Sequence, residues 1–419
     1  MYRDTYTFLK QLCYLFFLKR VSRVIPLIIF PLLVRKVGLE QLGIIKFVEA
    51  IASYLLILVK YGFRYSATQQ IAQYRDDKRL VGQILGTVYS VKIVAIGLCW
   101  AIAGGLVFWV PQIQQLQAYF LTYLAAAVIG KLFPIFIFQG LDKMLWMASI
   151  RLLAKAVLLT GIVILIRSPA DARLYHVLLI VVDLLQLIIA LYVINYVWGI
   201  RISMPTRSMV ALQLRKGLPI FLSQLPITFY TKLPKIFLGF LVNASSVGSY
   251  LLGVKAVRLV LIMVEPFTRI LFPLAHKHLA RSFQEGARFI SKITLGGLAI
   301  LVVIGGCYWL FAASIVQLLA GKVVQDAVWI LRLHAFLPCV VILSNILGMC
   351  ILIPLGAGRV YTLITWITGL FCVALNSVLV GPLQARGAAI AILLCEIFSM
   401  VMLIWATYRS ATRLLAHKS

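Results

Sequence analysis

The sequence predicts an all-α polytopic membrane protein, with twelve transmembrane helices in two six-helix lobes around a central cationic cavity. Hydrophobic residues make up 63% of the 419 residues and charged residues only 12%, and the mean hydropathy of +1.01 lies far above that of soluble domains. Long apolar segments recur along the whole chain, which indicates many membrane crossings. Lysines and arginines inside those segments indicate an interior that lipid does not reach.

Twelve apolar segments reach the length of about 20 residues that a bilayer crossing needs, and Gly, Pro or charge clusters separate them. They fall at about 8–34, 42–64, 83–110, 115–138, 145–167, 174–199, 217–242, 247–274, 292–316, 327–354, 360–381 and 386–408. Arg3 and Lys10 precede the first apolar run, as in a signal peptide, but Lys19 and Arg20 interrupt it and no small-residue cleavage site follows. We therefore predict a retained first helix.

Basic residues are divided unevenly between the two sets of connecting segments. With the N-terminus inside, about nineteen lysines and arginines fall on the cytoplasmic side and about six on the other. Because cytoplasmic loops of membrane proteins carry the excess of Lys and Arg, both termini are predicted to be cytoplasmic.

The chain divides near its middle into two similar halves. In each half a basic segment separates the second and third spans, YRDDKR at 74–79 and HKHLARSFQEGAR at 276–288. The last span of each half carries one acid, Asp183 or Glu396. Parallel repeats of this kind are found in transporters. The predicted divisions are an N-terminal six-helix lobe at 1–199, a cytoplasmic linker at 200–216, and a C-terminal six-helix lobe with a short cytoplasmic tail at 217–419.

About fifteen lysines and arginines lie inside the predicted spans. A cation at the centre of a membrane helix costs roughly 2.5–3.5 kcal/mol on the insertion scale, so these side chains are expected to line water or an anionic ligand. The acids inside the spans are too few to neutralise them. Glu49, Asp183, Glu265 and Glu396 are candidates for ion coupling, with static charge pairing as the equal alternative.

Helical spacing gathers many of the cations into stripes. Lys255 and Arg258 in the eighth span, and Arg151 and Lys155 in the fifth, each share one helix face. A cleft between the two halves would collect such stripes, and a phosphorylated substrate would balance their charge. The candidate substrate-binding cations are Lys19, Arg23, Lys46, Lys60, Arg151, Lys155, Lys232, Lys235, Lys255 and Arg258.

Other features exclude several classes of function. The net charge is +28, but the basic residues are dispersed through apolar helices, so nucleic acid is not an expected partner. The seven cysteines show no C-x-x-C spacing and no nearby His, so no metal site is expected. Short connections leave no room for a soluble catalytic domain. We predict neither catalytic residues nor a cofactor, and a protein that is not an enzyme.

Three stretches in the first five spans, with weaker agreement later, resemble the polysaccharide flippases of the Wzx type, within the multidrug/oligosaccharidyl-lipid/polysaccharide exporter superfamily. FQGLDKM at 138–144 is the most specific motif, because nothing about hydropathy requires it. The stretches are PLIIFPLLVRKVGLEQLG at 26–43, YGFRYSATQQIAQYRDDK at 61–78 and FPIFIFQGLDKMLWMASIRLLAK at 133–155, followed by the weaker matches at 336–356 and 387–398.

The resemblance implies a bacterial inner-membrane protein that translocates an undecaprenyl-pyrophosphate-linked sugar repeat unit, such as an O-antigen unit, from the cytoplasmic to the periplasmic leaflet. It implies alternating access coupled to an ion. The expected partners are this lipid-linked oligosaccharide and membrane lipids, with the polymerase and chain-length proteins of the same pathway as further candidates. The repeat unit, whether O-antigen, capsule or exopolysaccharide, and the coupling ion are left open.

Two alternatives come from other classes of function. A membrane enzyme of the same pathway, a polymerase or a ligase, would need a large periplasmic loop, whereas the predicted periplasmic connections are only a few residues long. A multidrug exporter of the same superfamily would handle mostly cationic substrates, which a positively charged cleft would repel.

Overall fold

The computed structural model describes the backbone of residues 2–416 and the side chains of residues 25–412, except those at 27, 223–224, 226–230, 263–266, 269–270, 280–281, 283 and 411. Fifteen α-helices run through this part of the chain. They are α1 Tyr2–Lys60, α2 Phe63–Gln73, α3 Lys78–Trp109, α4 Pro111–Gln115, α5 Gln117–Leu132, α6 Ile135–Gly140, α7 Met144–Leu165, α8 Leu174–Tyr192, α9 Arg207–Leu241, α10 Ala244–Arg281, α11 Phe283–Leu310, α12 Ala312–Ala320, α13 Gln325–His334, α14 Leu337–Asn345 and α15 Gly358–Ala416.

Nine helical segments of the described residues are long and apolar enough to cross a membrane. The same residues contain no β-strand. The prediction of an all-α polytopic membrane protein is therefore confirmed, whereas the number twelve stays a prediction. Large apolar side chains are exposed along these helices, for example Ile93, Val94 and Phe108 on α3, as expected where a helix contacts lipid rather than water.

Two of the longest helices are each interrupted by a residue with positive φ. Gly38 (φ 80°, ψ 173°) divides α1, and Gln384 (φ 49°, ψ −129°) divides α15 just after Pro382. Each interruption falls where the sequence predicts a connection between two spans. Glycine adopts positive φ without a steric penalty, whereas a residue with a side chain does not. The break at Gly38 therefore costs less backbone strain than the break at Gln384.

Contacts within the chain cluster into two units, 1–225 and 226–419. In the first, unit 1, a core forms where α2, α3 and α6 meet, around the buried side chains of Phe63, Ile84 and Phe138. Lys36 holds the C-terminal end of α7, because its ammonium group donates to the carbonyl oxygens of Ile162 (3.1 Å), Val163 (2.6 Å) and Ile166 (2.7 Å). These are carbonyl groups that a helix end leaves without a partner, and a cation is favourable there.

The second unit, unit 2, has its core on α10, which packs against α11 and α14 through Leu271, Ile290 and Ile342. His334 of α13 is fully buried, and its Nε2–H donates to the carbonyl oxygen of Ala389 in α15 at 2.9 Å. This hydrogen bond satisfies a polar group inside an apolar core.

The two basic segments that separate the second and third spans of each half are bounded by capped helices. Around 276–291 the chain stays helical on both sides of Ser282, whose side chain caps α11 by accepting from the Glu285 N–H at 3.2 Å. Between the second and third spans the chain forms the short helix α2, and Asp77 then caps α3 through the Leu80 N–H at 3.0 Å. Good capping residues thus define where the helices begin in these basic segments.

Candidate functional site

A cavity of about 310 Å³ in unit 1, here called cavity I, is lined by five cationic side chains. Aromatic rings of Phe63, Tyr65 and Phe136 form part of the remaining wall, and no acidic side chain lines the cavity. Its cations are Lys60, Arg64, Lys92, Lys131 and Arg151. They come from five different helices, so this charge concentration is a property of the tertiary fold.

A break between α1 and α2 lies between two of the cations. Tyr61 and Gly62 both have positive φ (34° and 82°), which interrupts the helix between Lys60 and Arg64, and both cations line cavity I. A Cβ atom on Gly62 would lie 2.9 Å from the carbonyl oxygen of Gly217, so the position requires glycine for space as well as for conformation. Arg64 Nε donates to Gln139 Oε1 at 3.4 Å, which links α2 to α6.

The end of α5 supplies the opposite wall. Pro134 cannot continue the helix, so the last carbonyl groups of α5 need partners from elsewhere. Two residues of α3 provide them: Tyr89 Oη donates to the carbonyl oxygen of Leu132 at 2.9 Å, and Lys92 Nζ donates to that of Lys131 at 2.5 Å. Lys92 is therefore held at a helix C-terminus, where the partial negative charge favours a cation.

A second cavity of about 410 Å³, cavity II, adjoins the first and shares Gly130, Lys131 and Arg151 with it. Arg151 is braced by an aromatic ring, since its guanidinium carbon lies 5.0 Å from the centre of Phe133. Lys155, one helical turn further along α7, also lines cavity II. The walls of the two cavities together carry six cationic side chains and one carboxylate.

That carboxylate belongs to Asp183 of α8, within electrostatic range of Lys131 and Arg151. Gln186 donates to it from one turn away. Gly130 packs directly against it, because a Cβ atom there would lie 2.6 Å from Asp183 Oδ2. Asp183 therefore has a fixed place on the wall of cavity II, beside the two cations that both cavities share.

A separate charged cluster in unit 1 includes two more predicted residues. Lys46 Nζ lies 2.6 Å from Glu49 Oε1 and 5.2 Å from the centre of the Tyr175 ring. His176 is fully buried beside them, with its ring 5.1 Å from that of Tyr123. Lys46 and Glu49 thus pair locally, which is the static alternative that the sequence left open for the acid.

The predicted site residues fall into different environments. Lys60, Arg151, Lys155 and Asp183 line the cavities of unit 1. In unit 2, Lys235 is buried, Lys232, Lys255 and Glu396 are half-buried, and Arg258 is exposed. The side chains of Lys19, Arg23 and Glu265 lie outside the described residues. The roles assigned to all of these residues stay predictions.

Three of the cations that line cavity I were absent from the predicted site: Arg64, Lys92 and Lys131. Lys92 and Lys131 each stand alone on their helices, so no stripe pointed to them. Arg64 follows Lys60 across the break at Tyr61 and Gly62, so helical spacing does not relate the two. The usable signal was Pro134, three residues after Lys131, because it exposes helix carbonyl groups to a cation from a neighbouring helix.

Comparisons with known proteins give a family and two relatives of similar length. The pattern of the family described as "Polysaccharide biosynthesis protein" matches residues 8–279. A protein of Escherichia coli (strain K12) named "Putative O-antigen transporter" is 27% identical over 392 residues, covering 92% of this chain and 93% of that protein. A protein of the same name from Shigella dysenteriae is 22% identical and covers 95% of this chain and 99% of the relative.

Solved structures share the fold. The lipid II flippase MurJ in an inward closed conformation aligns with a TM-score of 0.70 at 12% identity, over 94% of this chain and 87% of that one. An inward-facing multidrug resistance MATE family transporter of the MOP superfamily aligns with a TM-score of 0.68 at 15% identity, over 96% and 95% of the two chains. At these identities the likeness is one of fold.

Proposed function

Because the chain belongs to the polysaccharide biosynthesis protein family, we propose that it is a flippase for lipid-linked polysaccharide repeat units. Its substrate is an undecaprenyl-pyrophosphate-linked oligosaccharide, of the O-antigen type suggested by the names of its relatives. It moves this lipid from the cytoplasmic to the periplasmic leaflet. The protein is a transporter and not an enzyme, in line with relatives and fold neighbours that are named transporters or flippases.

The observation that carries the proposal is the cationic wall shared by cavities I and II. A diphosphate beside Lys131 and Arg151 gains roughly 4 kcal/mol for each charge pair at 4 Å and an effective dielectric of about 20, and about 1 kcal/mol in bulk water. Arg151 offers a guanidinium group that binds phosphate oxygens through two parallel hydrogen bonds. The shared wall is thus suited to the pyrophosphate of the substrate.

The polar side of cavity II suits the sugars. Tyr123, Asp183 and Gln186 line it with one hydroxyl group, one carboxylate and one amide. These groups donate and accept hydrogen bonds in the combinations that carbohydrate hydroxyl groups need. The polyprenyl chain would stay in the surrounding lipid, because contact between this apolar chain and the lining cations would remove the cations from water at a cost in free energy.

The finer architecture is part of the same proposal. It comprises twelve membrane helices, two six-helix lobes at 1–199 and 217–419 joined by a linker at 200–216, and a central cationic cavity. It also comprises location in the bacterial inner membrane with both termini in the cytoplasm. Within it, predicted cations of both lobes, beyond those that line cavities I and II, contribute to substrate binding, and one of the four acids couples transport to an ion. The residues concerned are Lys19, Arg23, Lys46, Lys232, Lys235, Lys255 and Arg258 for binding, and Glu49, Asp183, Glu265 and Glu396 for coupling.

A reconstituted transport assay tests the proposal. The full chain is placed in liposomes with a fluorescent undecaprenyl-pyrophosphate-linked oligosaccharide, and the label in the outer leaflet is quenched. We expect protein-dependent movement of substrate between leaflets, and an Arg151→Gln variant that is slower by about tenfold or more because one charge pair is lost. Arg173→Gln is the matched control, since Arg173 is exposed and lines neither cavity.

Two results would contradict the proposal. Movement no faster than in protein-free liposomes would exclude a flippase for this substrate. Equal transport of a neutral lipid-linked sugar without the pyrophosphate would show that the cationic wall does not recognise the substrate. The same liposomes, loaded with a cationic dye, test the multidrug alternative, for which the positive cavities predict no transport.

A further inference from the structure

A third cavity, cavity III, lies at one end of unit 1 and shares no lining residue with cavities I and II. Its volume is about 530 Å³. Arg75, Lys78 and Lys143 line it with three cations, and Asp76 adds one carboxylate. Trp198 supplies an aromatic wall. The transport site described above uses none of these residues.

Two motifs that carried the sequence resemblance meet in this cavity. Arg75 and Lys78 belong to YRDDK, where Arg75 lies in the connection from α2 to α3 and Lys78 begins α3. Lys143 belongs to FQGLDKM and lies in the connection from α6 to α7. The neighbouring acid Asp77 is engaged elsewhere, since it accepts the Leu80 N–H as the cap of α3. The cavity therefore keeps an excess of positive charge.

The far wall is fixed in place by two glycines of α3. Ser203 N–H donates to the Gly82 carbonyl oxygen at 3.3 Å, and a Cβ atom on Gly82 or Gly86 would overlap the backbone of Arg201 or Ser203. The segment from Ile200 onward thus lies flat against α3. The Trp198 ring packs edge-on against the ring of Phe138, with ring centres 5.3 Å apart. The backbone of this wall is therefore fixed, and the charged side chains on the other walls are exposed.

Exposed aromatic residues next to the cavity indicate its depth in the membrane. Trp146 is 44% exposed three residues after Lys143, and Tyr196 is 78% exposed two residues before Trp198. The Tyr196 ring lies 5.2 Å from that of Tyr192, which is also exposed. Exposed Trp and Tyr at the ends of membrane helices mark the level of the lipid headgroups.

We propose that cavity III binds the phosphate group of a lipid. Three cations against one carboxylate leave a net positive charge, which favours a phosphate. The volume of the cavity is that of a small-molecule site. Trp198 and Ile200 give the glycerol or polyprenyl end of the lipid an apolar surface. The phosphate can come from an anionic phospholipid of the same leaflet. It can also come from the pyrophosphate lipid that the proposed function assigns as substrate, and only this second source depends on that function.

Lipid-dependent thermal stability of the purified full chain tests the proposal. The probes are phosphatidylglycerol, undecaprenyl pyrophosphate without sugars, phosphatidylcholine as the neutral lipid, and inorganic phosphate. The variant is Lys78→Gln with Lys143→Gln. The control of equal charge loss is Arg79→Gln with Arg207→Gln, because both arginines are exposed and line none of the three cavities.

We expect an anionic lipid to raise the melting temperature of the wild type and of the control, with an affinity about 30-fold weaker in the Lys78/Lys143 variant. Each basic residue near an anionic surface contributes roughly fivefold. The lipid that produces the shift identifies the source of the phosphate. No shift with either lipid, an equal loss in the control, or an equal response to inorganic phosphate would overturn the proposal.

Photo-crosslinking provides a second measurement that needs no variant. A phosphatidylglycerol or undecaprenyl pyrophosphate analogue with a photoreactive headgroup should label the wild-type chain within 75–78, 141–146 or 196–200. Labelling confined to other segments would overturn the proposal. Because neither measurement depends on transport, the site stands or falls separately from the flippase activity.

Discussion

Replacement of Gly130 by alanine tests the packing of the candidate site most directly. The added Cβ atom would lie 2.6 Å from Asp183 Oδ2 and 3.1 Å from its Cγ, whereas ordinary contacts begin near 3.4 Å. Asp183 must therefore move by several tenths of an ångström. It is held by Gln186 on one side and faces Lys131 and Arg151 on the other, so the movement disturbs the wall that both cavities share.

Two opposing free-energy terms set the size of the effect. Overpacking of a filled site costs about 1–3 kcal/mol. Alanine is favoured over glycine inside a helix by about 1 kcal/mol, and Gly130 lies inside α5. We expect a net destabilisation of roughly 0–2 kcal/mol, which corresponds to a drop in melting temperature of up to about 8 °C for a unit of this size.

A double-mutant cycle separates the clash from general effects. The melting temperature of the purified protein is measured for Gly130→Ala, for Asp183→Ala and for both together. Without the Asp183 side chain the added methyl group has room, so we expect Gly130→Ala to be neutral or stabilising in that background, with a coupling of about 1 kcal/mol or more. Gly104→Ala in α3 is the matched control, because no atom of a neighbouring residue lies within 4 Å of the place its Cβ would take. The same loss of stability in both backgrounds would refute the reasoning.

Three further substitutions extend the test to the rest of the chain. Lys36→Met removes the donor to three carbonyl oxygens at the end of α7, so the free energy of unfolding should fall by about 1.5–3 kcal/mol and the melting temperature with it. An unchanged melting temperature would show that these hydrogen bonds do not stabilise the end of α7. In Gly387→Ala the added methyl group would overlap the Leu379 carbonyl group across the break in α15, so folded protein should not accumulate, as judged by size-exclusion chromatography. A normal elution profile would show that residues 379 and 387 do not approach each other this closely. Asp183→Asn removes the one carboxylate on the walls of cavities I and II, so binding of undecaprenyl pyrophosphate should tighten by up to about tenfold while transport slows. Weaker binding would show that the carboxylate does not repel the phosphate.

Much of the fold was predictable because hydropathy and chain breakers are local signals. The break at Gly38 lies between two apolar runs and beside charged residues, and both features are visible in the sequence. The sequence marks a basic segment at 276–288 between two spans, but not where the flanking helices end. The chain is almost entirely helical there, around Ser282, since a capping residue and an amphipathic pattern extend both helices.

The candidate site was predictable only in part, because charge stripes report single helices. Arg151 and Lys155 were found from their spacing along α7. Lys131 joins them in cavity II because α5 and α7 both pack against α8, which no local pattern encodes. Lys46 shows the opposite case: it was predicted to bind the substrate, but Glu49 one turn away pairs with it at 2.6 Å. An acid at i+3 thus provides a local partner for this cation inside a span.

The local partners of single cations sharpen the argument for an anionic substrate. Lys46 is paired with Glu49, Lys92 caps α5, and Arg332 donates to the Trp309 carbonyl oxygen at 3.3 Å, so several intramembrane cations have a structural role. The remaining concentration of charge is the wall around Lys131 and Arg151. A small inorganic anion would need a single ring of cations. Cavity I is aromatic and cationic, and the adjoining cavity II is polar. Together they fit a ligand that has an anionic centre and a neutral extension rich in hydroxyl groups. A lipid-linked diphosphate sugar has this chemistry.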